Sequence, residues 1–196
     1  MVHANKTRLR ILNAAAAEFR LHGFHGAGMR DIAARAGMAT GNLYHYFHNK
    51  VDILVWCQKD AMERLTLELQ KIHDGGGGAD KRLHAALVHH VVCLNEDTPG
   101  SLAHLEVPAG PARDDLMQGR AQYEASLRGI VEEGISSGIF RSVDANVAVK
   151  SILGAVNWTV RWFNAEGEQS ASTIGEQCAE IMVRGLGGVD KGVTTG

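Results

Sequence analysis

Proline is nearly missing from this chain of 196 residues, which holds only Pro99, Pro108 and Pro111. A proline inside a helix removes a hydrogen bond and clashes with the preceding turn, so its scarcity leaves long stretches free to be helical. Cysteine is equally sparse. Cys57, Cys93 and Cys178 are odd in number and far apart, which suggests no disulfide framework. No apolar run approaches the roughly 18–20 residues that cross a bilayer, so no membrane partner is expected. The opening "MVHANKTRLR" lacks the apolar stretch of a signal peptide, and the cytoplasm is the expected compartment. No glycine-rich loop leads into a Lys-Ser/Thr pair, and no nucleophile, base and carboxylate stand together. An enzyme is therefore not expected, and neither is a cofactor. His84, His89, His90 and His104 share one region, but no H-x-x-x-H or C-x-x-C pair accompanies them, which argues against a metal site.

What is present is an ordinary globular composition, 45% hydrophobic and 21% charged, which argues against disorder. The net charge of −2 hides an asymmetry: residues 1–50 carry seven Lys and Arg against Glu18 and Asp31, giving +5 and leaving −7 for the rest. A basic head on an acidic body suggests that the head alone meets a polyanion.

Apolar spacings of three and four run through most of the chain, so the expected fold is all-α, with about nine helices. Leu9, Leu12, Ala16 and Phe19 stripe a first helix that Gly23 is suited to close. Two short helices follow, at about 29–36 and 40–46, then a longer one at about 51–72. "DGGGGAD" breaks the pattern, and "KRLHAALVHHVVCLN" resumes it. The stretch 97–111 is expected to hold one short helix. Pro111 suits the first turn of a helix over about 112–137, Asp144 the N-cap of one over about 145–164. Ser172 or Thr173 is expected to open a last helix, and the glycine-rich residues 188–196 form a flexible tail. The expected division is a head, 1–50, and a body, 51–187.

The stretch "MRDIAARAGMATGNLYHYFHNK" carries the function. Ala33, Gly37 and Leu43 are spaced four and six residues apart, as in a helix-turn-helix. Two helices crossing steeply need a small residue where they touch, here Ala33, and a sharp turn needs a residue tolerant of positive φ, here Gly37. Leu43 and Ile32 lock the second helix to the first. The second helix then presents Thr40, Gly41, Asn42, Tyr44 and His45 to a DNA major groove. Tyr46 and Phe47 are expected to turn inward and fill a core that alanines leave open, while Lys50 lies within reach of a phosphate.

"RDIAARAGMATGNLYHYFHNKVDIL", with "ILNAAAAEFRLHGF" before it, closely resembles the TetR family of transcription regulators over residues 6–55. The resemblance implies an N-terminal DNA-binding helix-turn-helix domain and a helical body that binds a ligand and dimerises. Carried over residue by residue, it makes Thr40, Gly41, Asn42, Tyr44, His45 and Lys50 contacts to double-stranded operator DNA, with Arg30 and Lys6 on phosphates. The chain departs from the family at two caps: Ala27-Gly28 stands where a Ser or Thr usually caps the second helix, and Ala39 where a Ser often caps the third. Thr40 could take over that second cap by a shift of one residue. The departures motivate an alternative, a helical dimer whose helix-turn-helix no longer binds DNA.

In the body, two amphipathic helices carry Trp158, Trp162, Phe163, Ile174, Ile181 and Met182, a set suited either to close the monomer core or to form a four-helix homodimer interface. "GIVEEGISSGIFRSVD" and "GAVNWTVRWFNAEG" look like the branch of the TetR family that responds to acyl-CoA ligands. A pocket lined by Val92, Leu102, Leu105, Met117, Tyr123, Leu127 and Trp158 would take an acyl or ring system, with Arg120, Arg128 or Arg161 meeting a carboxylate or phosphate. The sequence thus points to a ligand-responsive repressor. It would bind a palindromic operator as a homodimer and be released by a small apolar effector, acyl-CoA-type by resemblance or else drug-like or aromatic.

Overall fold

The structure, a computed structural model, describes residues 2–97 and 105–187. Helix α1 spans Val2–Gly26 and is kinked at Gly23, whose φ of 69° ends the first run of helical backbone. The stripe it buries is Ile11, Leu12, Ala15, Ala16 and Phe19. Leu9, expected in that stripe, is 44% exposed; at 3.6 residues per turn it falls roughly a quarter turn from the stripe's centre. Helices α2 (Met29–Arg35) and α3 (Thr40–Tyr44) follow, separated by Gly37 at φ 63°. Ile32, Ala33, Leu43 and Phe47 are buried between them and α1. The Glu18 carboxylate, itself nearly buried, accepts a 2.6 Å bond from Arg35 Nε and ties α2 to α1.

Helix α4 (Lys50–Asp74) belongs to two cores. Its first turns bury Ile53, Leu54 and Cys57 with the head, and its later turns bury Ala61, Leu65 and Leu69 with the body. Gly76 and Gly77, both at positive φ, make the break before α5 (Ala79–Val92), which runs on as a π-helical turn, Cys93–Asp97. Helix α6 is Pro111–Ser136, α7 is Ala145–Trp162 and α8 is Ala171–Leu186. Asp144 caps α7 by accepting from the Asn146 and Val147 amides at 2.9 and 3.0 Å. The cap of α8 is Ser170, not Ser172 or Thr173: its hydroxyl accepts from the Thr173 amide at 3.1 Å. Helix α8 lies close against α5 because Gly175 leaves room; a Cβ there would stand 3.1 Å from the Val88 carbonyl oxygen.

Residues 105–110 contain no helix, while 98–104, and with them Leu102 and His104, lie outside the described residues, as does the tail 188–196. Among the described residues no helix is long and apolar enough to cross a membrane. Besides α4, a second connection ties body to head. Val107, just before α6, and Leu116, in its second turn, are buried in the same cluster as Leu43, Phe47 and Leu54.

Candidate nucleic-acid interface and effector cavity

The surface of the head is built by the turn at Gly37. With Leu43 fully buried, α3 exposes Gly41, Asn42 and Tyr44, with His45 following, and leaves Thr40 half-buried. Among the described residues, none of the side chains of Thr40, Asn42, Tyr44 and His45 has a hydrogen-bond partner. A Cβ added at Gly41 would meet nothing within 4 Å, so internal packing does not require a glycine there. Arg30 is exposed on α2. Lys6 lies on α1 beside Arg10, Asn13 and Arg35, which together line a shallow basic groove.

The caps missing from the sequence are missing here, but the shift of one residue to Thr40 does not occur. Neither Gly28 nor Ala39 offers a side-chain cap, and Ala39, not Thr40, holds the N-cap position of α3. Helix α2 is compensated otherwise. A Cβ on Gly28 would lie 2.7 Å from Asp31 Oδ2, so the glycine lets that carboxylate fold over the helix start, against the positive end of its dipole. Helix α4 has a reciprocal cap: Asn49 Oδ1 accepts from the Asp52 amide at 2.9 Å, and Asp52 Oδ2 from the His48 amide at 3.1 Å.

Two aromatic and cationic side chains sit differently from the sequence reading. Tyr46 is 37% exposed rather than turned in, and Phe47 alone fills the gap, edge-on to Trp56 with ring centroids 6.2 Å apart. Lys50 points back at α1. Its ammonium donates to the carbonyls of Phe24, His25 and Ala27 at 2.6, 2.9 and 3.1 Å, and sits over the Phe24 ring. An ammonium has three donors, so this arrangement leaves none over for a phosphate.

The body holds a cavity of about 640 Å³ between α4, α5, residues 105–107, α6 and α7. Of the residues expected to line it, Leu105, Met117, Arg120 and Tyr123 do so. Val92 does not reach it, Leu127 is sealed in the core, and Trp158 and Arg161 face solvent, Trp158 being 62% exposed. Arg128 also lies elsewhere, beside Glu132 on the outer face of α6. The reason is rotational. The face α7 turns inward carries Leu153, Gly154, Asn157 and Val160, one position off the tryptophan. Sequence reading also missed Gln58, Ala61, Met62 and Leu65 on α4, His90 and Leu94, and Lys150. The i, i+3, i+4, i+7 spacing of the α4 set was a signal, but it reads equally as core.

Polar groups in the cavity are held by one another. His90 Nδ1 lies 3.1 Å from the Tyr123 hydroxyl and Nε2 lies 3.0 Å from Asn157 Oδ1, joining α5, α6 and α7. Burial drives the His90 pKa down to about 4, against the Asn157 hydrogen bond that favours the charged form; the imidazole is neutral near pH 7. Burial likewise pushes the Tyr123 phenol above its ordinary value, so it stays a hydroxyl. Arg120 donates to Gln58 Oε1 at 2.9 Å, and Gln58 Nε2 donates to the Leu105 carbonyl at 2.9 Å. Desolvation lowers the Arg120 pKa from its ordinary value, and among the described residues no carboxylate lies within ion-pair distance of it. Among the described residues no group of three or more His, Cys, Asp or Glu is placed to hold a metal.

Comparison with known proteins adds the following. Residues 11–55 match the family model "Bacterial regulatory proteins, tetR family", and residues 76–186 match "Tetracyclin repressor-like, C-terminal domain". The HTH-type transcriptional repressor KstR2 of Mycobacterium tuberculosis is 27% identical over 197 residues, spanning 95% of this chain and 94% of that protein. The Fatty acid metabolism regulator protein of Bacillus subtilis is 26% identical, over 91% of this chain and 94% of that one. The crystal structure of AibR in complex with isovaleryl coenzyme A and operator DNA aligns with a TM-score of 0.74 at 26% identity, over 92% of this chain and 97% of that one.

Proposed function

The chain belongs to the TetR family of bacterial regulatory proteins, and from that footing we propose that it is a repressor released from its operator by an acyl-CoA-type effector. Residues 1–50 act as the DNA reader and 51–187 as the effector-binding and dimerising body. Arg30, Thr40, Gly41, Asn42, Tyr44 and His45 make the DNA contacts, with Lys6 supplying a flanking phosphate contact. Exposed polar side chains that no neighbour among the described residues occupies are the groups a base edge or phosphate can take.

The observation that carries the reading is the position of α4. The same helix lines the 640 Å³ cavity with Gln58, Ala61, Met62 and Leu65 and joins the reader's core through Ile53, Leu54 and Cys57. A ligand against its middle therefore acts on the reader's attachment. Leu105, Met117, Arg120 and Tyr123 contact the effector, and the guanidinium of Arg120 meets its acyl or phosphate oxygen. AibR's complex with isovaleryl coenzyme A supports the effector class by similarity.

Pairing of two readers follows from the exposed face of α7 and α8. Val147, Trp158, Trp162 and Ile181 are each more than half exposed, which is costly for large apolar groups unless a second copy covers them. A homodimer sets two recognition helices about 34–36 Å apart, the spacing of half-sites on one DNA face.

The test is an anisotropy titration of the full chain on the duplex upstream of its own gene. Saturating palmitoyl-CoA or isovaleryl-CoA should weaken binding by about 5–150-fold, the range of coupling energies of 1–3 kcal/mol. Unchanged affinity with both thioesters would refute the effector class. A second reading, an uncharged aromatic or drug-like effector, draws on the apolar cavity wall of Leu65, Met117 and Leu153. Release by a neutral hydrophobe and not by either thioester would select it.

A further inference from the structure

We propose that the rim of the cavity is built for a multiply charged phosphate group: Arg113, Arg120 and Lys150 bind it, and the carboxylates of Glu106 and Glu124 occupy two of those cations until it arrives. The proposal rests on the effector reading above and names the part of the effector that is read by charge.

The cavity has a buried floor and a charged rim. Ala61, Leu65, His90, Leu94 and Tyr123, none more than 6% exposed, form the floor. Among the described residues, the cations lining the cavity are Arg113, Arg120 and Lys150, and the carboxylates are Glu106 and Glu124. None of these five is buried. Arg113, Arg120 and Glu124 stand seven and four residues apart on α6, so they share one face of it. Lys150 meets them from α7. The rim therefore carries a net positive charge, although residues 51–196 sum to −7. Three cations gathered at one opening of an acidic body repel one another unless an anion shares the space.

The resident anions hold their cations loosely. Arg113 Nη2 stands 3.4 Å from Glu106 Oε1, and Lys150 Nζ stands 4.0 Å from Glu124 Oε1. The first is a long contact and the second lies beyond hydrogen-bond distance. Water reaches both pairs, with Glu106 84% and Lys150 63% exposed, and such pairs add little to stability. Arg120 donates to a neutral oxygen, Gln58 Oε1. A phosphate monoester or pyrophosphate brings more charge and more oxygens than one carboxylate, so it takes donors from several of these side chains at once. A free fatty acid brings only another carboxylate, no better than those already present. The rim thus selects a phosphate-bearing thioester over the free acid of the same chain, while the floor takes the chain itself.

The test is calorimetric binding to the full chain, without DNA, of octanoyl-CoA, octanoate and uncharged 1-octanol. The native chain should bind octanoyl-CoA at least about tenfold more tightly than octanoate. Glu106→Gln combined with Glu124→Gln removes the resident carboxylates and should tighten octanoyl-CoA binding about tenfold; Arg113→Gln combined with Lys150→Gln should weaken it by about as much. Affinity for 1-octanol should stay within about twofold in both, because it carries no charge to read. If one double variant fails to fold, the other, with an effect of opposite sign, still decides. Octanoyl-CoA binding unchanged in whichever variants fold, a native chain that does not prefer the thioester, or 1-octanol affinity that moves with it would overturn the proposal. Rim variants that behave as expected, on a chain whose DNA binding ignores octanoyl-CoA, would keep it and refute release by the effector. Release of DNA by octanoyl-CoA with unmoved rim variants would do the reverse.

Discussion

The recognition face and the cavity use polar side chains in opposite ways. On α3 and just after it, Asn42, Tyr44 and His45 stand in solvent with no hydrogen-bond partner among the described residues. In the body, His90, Tyr123, Asn157, Gln58 and Arg120 are each held by another member of the set. Uncommitted groups cost little to remove. Of the committed ones, His90, Tyr123 and Gln58 are buried, where leaving a polar group unpaired would cost about 1–3 kcal/mol each. The head is therefore stable for reasons separate from its surface, whereas the body's stability and its binding chemistry share the same residues.

That separation can be broken most forcefully one residue away from the recognition face. Leu43 is fully buried, and Leu43→Ala should cost about 2–5 kcal/mol through lost transfer energy and a cavity. Urea denaturation should show the midpoint fall, and DNA binding should be lost with the fold. In the body, acid should do what mutation does in the head. His90 has a folded pKa of about 4 against 6.5 ordinarily. Below about pH 6.5 the unfolded chain takes up a proton that folded His90 refuses, so stability is full above that pH and declines as pH falls toward 4. The loss attributable to this group is about 3 kcal/mol. His90→Leu should flatten that part of a stability-against-pH curve, measured by denaturation at several pH values; an unchanged slope would remove His90 as its source.

A smaller effect separates capping from both. Asp144→Ala should cost about 1 kcal/mol, the worth of an N-cap that satisfies two amides, seen as a modest drop in melting temperature. The smallest stability effect belongs to Tyr44, 47% exposed. Tyr44→Ala should change stability by no more than about 0.5 kcal/mol, while specific DNA affinity falls about tenfold or more in the same anisotropy assay. If the two quantities fell together, Tyr44 would belong with the committed groups.

The same contrast explains what could be read before any fold was known. The Ala33–Gly37–Leu43 spacing, the Pro111 helix start and the Asp144 cap are local, and the structure has each where the residues place it. The misplacements are nonlocal or rotational. Lys50 has no neighbour in sequence to say that it turns back on α1, because the three carbonyls it meets lie 23 to 26 residues away. Tyr46 and Phe47 look alike in sequence, and only the rotation of the chain past Leu43 decides which one Trp56 receives. Trp158 drew attention by size, but α7 turns Asn157 inward and the indole out. Ser170 outranks Ser172 and Thr173 as a cap because α8 already begins at Ala171, which leaves both of those residues inside its first turn. In a bundle the buried face of a helix is set by all its neighbours, and no single stretch records them.

The Lys50 clamp has a mechanical consequence. A single ammonium welds the end of the first helix to the start of the fourth, and Arg8 stacked 5.6 Å from the Trp56 ring adds a second rivet nearby. With both ends of the trihelical unit fastened to the same shaft, torque on that shaft swings the whole unit and does not deform it. Under the proposed repressor reading, each head would then turn as a rigid piece, and an effector would change the distance between two heads and not the shape of either.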